Sequence, residues 1–260
     1  LLPPRRRFRD HFVGPIERDD RDARRLLQRL VAPFLLRRTK EAVLDDLPPR
    51  TDHQLLVELG DAERAVYEAQ RRLALQSVEE GRGAIEVLAQ LTRLRRAACA
   101  PSLVTDSFEG EAAKTRAFRH LARDLAAGGH RALVFSQFLD HLALLRAVLD
   151  DEGLGYVYLD GSTPSAERDR LVHQYQTTDV PFFLISLKAG GSGLNLTGAD
   201  YVLHMDPWWN PAVEDQASDR AHRIGQQRPV TVYRVVAKGT VEEQILGLHR
   251  QKRDLADRIL

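Results

Sequence analysis

The sequence predicts an α/β fold, a parallel sheet sandwiched by helices and preceded by a smaller helical region. From Lys114 onward, apolar strand-length runs alternate with helix-length amphipathic segments through short links, the pattern of a parallel sheet covered on both sides. Runs such as Ala132-Leu133-Val134-Phe135 are continuously apolar, as strands buried on both faces are. Pro48-Pro49 marks an earlier boundary, because proline continues neither a helix nor a central strand. Residues 1–50, 51–113 and 114–260 are therefore read as three regions.

Residues 1–50 are punctuated by Pro3-Pro4, Pro15, Pro33 and Pro48-Pro49, with one helix from about Asp19 to Leu30. Gln54–Leu59 reads as a strand. Asp61 is placed to cap a helix from Ala62 to about Gln76, and a second helix spans Ala84 to Cys99. Residues 101–113, with Pro101, Ser107 and Gly110, read as a loop. The alternation then runs through helix Thr115–Ala127, which stops at Gly128-Gly129, strand Ala132–Phe135, helix Leu139–Leu149 and strand Tyr156–Leu159. Thr163-Pro164 caps and opens helix Ser165–Gln176. Strands Phe182–Ile185 and Tyr201–His204 follow, then a helix over Pro211–Ile224 with Asn210 as N-cap and Pro211 at its first position. Strand Thr231–Val236 and a helix from Val241 to about Ile259 complete the chain.

Hydrophobic residues make up 43% of the chain, an ordinary globular share. Lys+Arg 38 against Asp+Glu 37 leaves a net charge of +1, so bulk charge does not announce a polyanion partner. The distribution is uneven, with 13 basic and 8 acidic side chains in residues 1–50. The lone Cys99, in an apolar helical stretch, excludes an internal disulfide and a cysteine-rich zinc site, and reads as a buried thiol. His204 and His222 have no third ligand at metal spacing, so no metal site is expected. No apolar run reaches the ~18 residues of a membrane span and no signal peptide opens the chain, which makes the cytoplasm the expected location. A start on Leu1-Leu2-Pro3-Pro4 suggests a fragment of a longer protein.

Three loops at predicted strand ends carry chemistry, and in a parallel sheet they share the edge where ligands bind. Ser186-Leu187-Lys188-Ala189-Gly190-Gly191-Ser192-Gly193-Leu194-Asn195-Leu196 has glycines that permit close backbone approach to an anion, although a flexible turn is the alternative. It is not a P-loop, because its lysine precedes the glycines. Ser136-Gln137 offers a hydroxyl and an amide to phosphate oxygens or is a polar strand terminus. Gly161-Ser162-Thr163 is a phosphate seat, a turn and N-cap, or both. Adjacent Trp208-Trp209 suggests one ring in the core and one toward a base, sugar or partner, against a structural role for both. Gln216, Arg220 and Arg223, spaced i,i+4 and i,i+3, would stack on one helix face. Two guanidiniums aimed together suit a polyanion or a transferring phosphoryl group. The alternative is that Arg220 pairs with Asp206, Asp215 or Asp219 and laces helix to sheet.

Taken together, these segments resemble the C-terminal half of a Snf2-family ATPase motor of helicase superfamily 2, of bacterial or archaeal type. Ala132–Phe138 resembles motif IV, Tyr158–Thr163 the element after it, Ser186–Leu196 motif V, and Asp206–Pro211 the family's linking segment. Gln216–Gln226 resembles motif VI, which the family writes QAxDRxHRIGQ, and Val241-Glu242-Glu243-Gln244-Ile245 leads into its bracing helix. Pro33–Lys40 and Leu47–Arg50 resemble the passage between the family's two lobes. Residues 60–113 are the least diagnostic part.

The resemblance implies a second RecA-like lobe over 114–260, a helical protrusion over 51–113, and the end of the first-lobe protrusion with the interlobe linker over 1–50. It implies ATP with Mg2+ in the cleft, held mainly by the N-terminal RecA-like lobe, and double-stranded DNA across the top. Arg220 and Arg223 would reach the γ-phosphate, with Gln216, Gly193 and Asn195 around the nucleotide. Ser136, Gln137, Ser162, Thr163, Lys188, Gly190 and Trp209 would touch DNA. A nucleoid-associated protein acting on a DNA-bound protein complex, and on no membrane, is the corresponding expectation. The residues contain no Walker A sequence and no DExx box, so the chain alone is expected not to hydrolyse ATP. Two other readings stay open: a degenerate lobe serving as a DNA- or protein-docking module, and a motor acting on RNA or RNA polymerase.

Overall fold

In the computed structural model of the chain the described residues are 4–18, 20–31, 47–189 and 194–259. The chain divides into two compact units, Leu1–Asp46 with Gly247–Leu260, and Leu47–Leu246. In the smaller unit α1 (Arg5–Phe8) passes through a π-helical turn, Arg9–Val13, into α2 (Gly14–Glu17), and α3 (Arg21–Val31) follows. The Asp20 carboxylate caps α3 by accepting from the backbone N–H groups of Asp22 and Ala23 at 2.9 and 3.1 Å. Phe12, Ile16 and Leu27 form the small core of this unit.

The larger unit begins with β1 (Arg50–Val57), α4 (Asp61–Glu79) and α5 (Ala84–Cys99). It continues through α6 (Ala113–Ala127), β2 (Ala132–Ser136), α7 (Leu139–Asp151), β3 (Tyr156–Leu159), α8 (Ser165–Thr177) and β4 (Phe182–Ser186). Then come β5 (Tyr201–His204), α9 (Pro211–Ser218), β6 (Val230–Ala237) and α10 (Val241–Ile259). The six strands form one sheet in the order β1-β6-β5-β2-β4-β3. Every pairing is parallel, with Ser136 opposite Ser186 and Phe135 opposite His204. This is the parallel sheet between helices that the alternation predicted, in the RecA-like form that the resemblance implied.

Side-chain alternation along the strands divides the core between the two faces. Leu133, Phe135, Phe183, Ile185 and Val202 face Tyr175 of α8 and Ala217 of α9. Ala132, Val134, Phe182, Leu184 and Leu203 face Phe118 and Ala122 of α6 and Leu142, Leu145 and Leu149 of α7. Helices α4 and α5 pack on one another and on Ala237 at the end of β6 through Tyr67, Ala74, Leu94, Ala97 and Ala98. Cys99 is buried there, as expected.

Three local expectations are corrected. Asp61 does not cap α4: Gly60 is the N-cap, and Glu63 reaches back to accept its N–H at 2.9 Å. Thr163 does not cap α8, because its hydroxyl accepts from the Asp160 N–H at 3.1 Å and Pro164 is the N-cap. The helix from Pro211 stops at Ser218 rather than reaching Ile224. Beyond it the N–H groups of Arg220 and Ala221 bond three residues back, and the Arg220 carbonyl accepts from Leu196 at 3.0 Å, so the helical ladder has lost its acceptor. Gly225, at φ +98°, turns the chain toward β6. Asn210 does cap this helix, accepting from Ala212 at 3.2 Å. No helix among the described residues is long and apolar enough to cross a membrane.

A buried ion pair ties the sheet ends to the flanking helices. Lys114 Nζ lies 2.6 Å from the Glu242 carboxylate and donates to the Met205 carbonyl at 2.8 Å, and Glu242 accepts from the Ala237 N–H at 2.8 Å. Both side chains are essentially inaccessible. Lys114→Met should therefore lower unfolding free energy in urea by about 3–5 kcal/mol, because Glu242 is left charged and alone. Adding Glu242→Leu should recover most of that loss.

His204, at the end of β5, is buried, stacked on Phe135 with centroids 5.5 Å apart, and 2.8 Å from the Ser218 hydroxyl. Burial pushes its pKa down to about 4 from an ordinary value near 6.5, with Glu214 opposing the shift. Between those values the unfolded chain takes up a proton that the native one refuses, so stability should fall as pH drops from 6.5 toward 4. Urea midpoints at pH 7.5 and 5 should differ less in His204→Asn than in the parent chain.

Candidate functional site

The parallel register brings the ends of β2, β3, β4 and β5 to one edge of the sheet. The chain leaves β2 toward β4 and β3 and returns beside it as β5, so the crevice lies between the ends of neighbouring strands that lead in opposite directions. The loops singled out in the sequence all open there, joined by the segment after β5.

Asp206, 3% exposed, organises this edge. Its carboxylate accepts from the Ser136 hydroxyl, from Gln137 Nε2 at 2.7 Å and from the Gln137 N–H at 3.3 Å. His141 Nδ1 stands 3.8 Å away. Burial would raise the Asp206 pKa, but the hydrogen bond from Ser136 and the nearby positive charge of Lys114 hold it below the ordinary carboxylate value. Ser136 and Gln137 thus turn their polar groups inward to this carboxylate, and Ser136 is only 1% exposed. Cys99, His141 and Asp206 approach one another closely enough to suggest a metal. Asp206 is already supplied with donors, however, and Lys114 contributes its positive charge to both Asp206 and the Cys99 thiol. The cluster is balanced by charges the chain itself carries.

Ser162 is exposed at the tip of the loop after β3, where its hydroxyl and N–H both bond Asp160 at 2.6 and 2.8 Å. Arg168 of α8 donates to the carbonyls of Thr163 at 2.8 Å and Ala189 at 3.1 Å, clipping this loop to the one after β4. Lys188 is exposed, its ammonium 5.9 Å from the Trp208 ring. Asn195 is exposed, and its carbonyl accepts from Gln176 at 2.9 Å. Gly190 and Gly193 lie outside the described residues.

Both tryptophans are half-buried, neither sunk in the core nor fully presented. Between them sits Arg95 of α5, a residue the sequence reading passed over. Its guanidinium lies 5.0 Å from the Trp209 ring, 5.7 Å from Trp208 and 5.6 Å from Phe138. It also donates to Gln137 Oε1 at 2.9 Å and to the Pro207 carbonyl at 2.5 Å.

Because α9 ends at Ser218, Gln216, Arg220 and Arg223 do not share a helix face. Gln216 is exposed on the last turn, Arg223 is exposed in the following turn, and Arg220 is 7% exposed beside Phe135, 5.6 Å from its ring. The carboxylates named as alternative partners of Arg220 belong to other groups. Asp215 lies 3.4 Å from both Arg50 and Arg234, and Asp219 lies 3.5 Å from Arg50. Arg234 further pairs with Glu214 at 2.8 Å and Asp52 at 2.6 Å. These two arginines, not Arg220, lace α9 to β1 and β6. Arg220 Nη1 is buried with no hydrogen-bond partner among the described residues. Burial draws its pKa down to about 10, which leaves it charged at neutral pH. His222 reaches the other way, its Nε2 2.7 Å from the Pro48 carbonyl ahead of β1.

Comparison with known proteins agrees with this geometry. Residues 113–225 match the model of the helicase conserved C-terminal domain, and residues 2–103 match the SNF2-related domain. An ATP-dependent helicase of Mycoplasma genitalium is 34% identical over 267 residues, covering 100% of this chain and 25% of the relative. The putative ATP-dependent helicase/translocase YwqA of Bacillus subtilis is 36% identical, covering 97% of this chain and 29% of that protein. The chain thus spans about a quarter of the length of the curated relatives it matches. Among solved structures, the Sulfolobus solfataricus SWI2/SNF2 ATPase core in complex with dsDNA superposes with TM-score 0.69 at 30% identity, over 95% of this chain and 54% of that one. The C-terminal domain of that ATPase gives 0.67 at 27% identity, over 81% of this chain and 90% of that one. The chain belongs to the Snf2 family of ATP-dependent helicases and carries its C-terminal helicase lobe.

Proposed function

We propose that this chain is the second motor lobe of a Snf2-type ATP-dependent double-stranded DNA translocase or remodeller, with residues 1–50 as interlobe passage, 51–113 as protrusion and 114–260 as the lobe proper. The observation that carries the reading is Arg220. A buried guanidinium with an unfilled donor is costly unless an anion is delivered to it. Among the described residues, Asp215 and Asp219 pair with Arg50 and Arg234 and no ion pair reaches Arg220. In this reading Arg220, helped by the exposed Arg223, stabilises the charge that develops on the γ-phosphate of ATP. Gln216, Gly193 and Asn195 line the nucleotide side.

ATP and Mg2+ are held mainly by an N-terminal RecA-like lobe, since these residues include neither a Walker A sequence nor a DExx box. Ser162, Thr163, Lys188, Gly190 and Trp209 contact the duplex, mostly at phosphates, so binding is weakly sequence-specific and salt-sensitive. Ser136 and Gln137 serve the same surface from beneath, by fixing the segment that begins at Asp206. That the Sulfolobus solfataricus SWI2/SNF2 ATPase core was solved in complex with dsDNA supports duplex DNA as the partner. A cytoplasmic, nucleoid-associated protein working on a DNA-bound protein complex fits the same reading.

The chain alone should show no phosphate release above a buffer blank with or without duplex DNA, and turnover there would overturn the two-lobe assignment. Joined to its first lobe, the motor should gain DNA-stimulated ATPase activity. Arg220→Ala in that motor should cut kcat by about 10³-fold while duplex affinity changes little. Full activity in that variant would remove Arg220 from the reaction.

A further inference from the structure

We infer that Arg95 is a positioning residue for DNA engagement: it holds Gln137 and the Trp208-Trp209 pair in place and thereby couples protrusion helix α5 to the DNA edge. The inference rests on the reading of that edge as the duplex-binding surface.

Arg95 is 4% exposed, yet it forms no ion pair among the described residues. Its neighbour Arg96, more exposed, pairs with Asp140. Three aromatic faces take the place of a carboxylate around Arg95, all within the ~6 Å range of a cation–π contact. A carboxylate would neutralise the cation without fixing the rings. With rings as its counterpart, the orientation of Phe138, Trp208 and Trp209 is set by where the guanidinium lies.

The two forked hydrogen bonds complete the arrangement. One ends on Gln137 Oε1, whose own amide nitrogen donates to Asp206, so both polar ends of Gln137 are fixed. The other ends on the Pro207 carbonyl, in the peptide that leads into Trp208. A planar fork serves both acceptors at once while presenting its face to rings, which a lysine ammonium does not do. Arg95 therefore reaches the end of β2 and the segment after β5 simultaneously from α5. The exposed Lys188 ammonium also lies 5.9 Å from the Trp208 ring, so Trp208 meets one buried and one exposed cation.

Trp208 and Trp209 are the only tryptophans in the 260 residues, so intrinsic fluorescence reads this cage directly. The experiment compares the parent chain with Arg95→Met and Arg95→Lys by tryptophan emission, acrylamide quenching, thermal melting and titration with a fluorescein-labelled duplex at two salt concentrations. Arg95→Met should shift the emission, raise quenching and weaken duplex binding at least tenfold in a chain that still melts cooperatively. Arg95→Lys, which restores the cation but not the fork, should recover part of the affinity. If the parent binds duplex and Arg95→Met binds within twofold of it with unchanged emission, the positioning role is wrong while the DNA edge stands. If the parent itself shows no salt-dependent duplex binding, the reading of the edge fails and the inference falls with it. Should Arg95→Met not fold, Arg95→Gln, which keeps an amide donor while removing the cation and the planar fork, carries the same comparison.

Discussion

A buried carboxylate, Asp206, fixes the geometry on which the functional edge depends. The ends of β2 and β5 must lie side by side for parallel pairing, and at that point Ser136 and Asp206 are withdrawn from water beside the half-buried Gln137. They satisfy one another, which anchors the segments leaving both strands before either enters a loop. One residue earlier, the Met205 carbonyl accepts from Lys114, which binds Glu242 in turn. The sheet end is thereby tied to the starts of α6 and α10. Burying these charges is tolerable only because the four groups are arranged as donors and acceptors in sequence.

The buried arginines fall into two kinds, and the difference locates function better than composition does. Arg234 is 4% exposed and meets Glu214, Asp52 and Asp215, so its charge is neutralised within the fold. Asp52 responds to the same network: burial would raise its pKa, but bonds from Arg50 and Arg234 pull it down to about 2. Arg220 and Arg95 are equally withdrawn from water, yet neither has such a counter-ion. Arg95 has aromatic faces instead, and Arg220 has one ring and an unfilled donor. Among the described residues Asp215 and Asp219 pair with Arg50 and Arg234 and none pairs with Arg220, which is what the proposed role of Arg220 requires.

The sheet was legible because parallel strands buried on both faces must be apolar throughout, and β2, β3, β4 and β5 read almost residue for residue. Strand order was not legible, since alternation constrains handedness and layering but not which strand neighbours which. The end of α9 escaped for a different reason: Asp219–Ile224 keeps helix-compatible residues, and the ladder breaks because Leu196, distant in sequence, takes the Arg220 carbonyl. Thr163 looked like a cap by position, but Asp160 competes for its hydroxyl. Arg95 was invisible for the most general reason. It sits in an ordinary helical pattern, and its partners lie 42 and 112 residues away.

The same backbone contact that ends α9 also bears on how the two halves of the site communicate. Leu196 closes the loop that opens at Lys188, and Arg168 clips the start of that loop to the one bearing Ser162 and Thr163. The Arg220 carbonyl is therefore bonded at the end of a loop whose start carries the exposed Lys188. In the proposed reading Arg220 meets the nucleotide and Lys188 the duplex. Coupling between a nucleotide site and a duplex site needs no long relay when both are attached to one short segment.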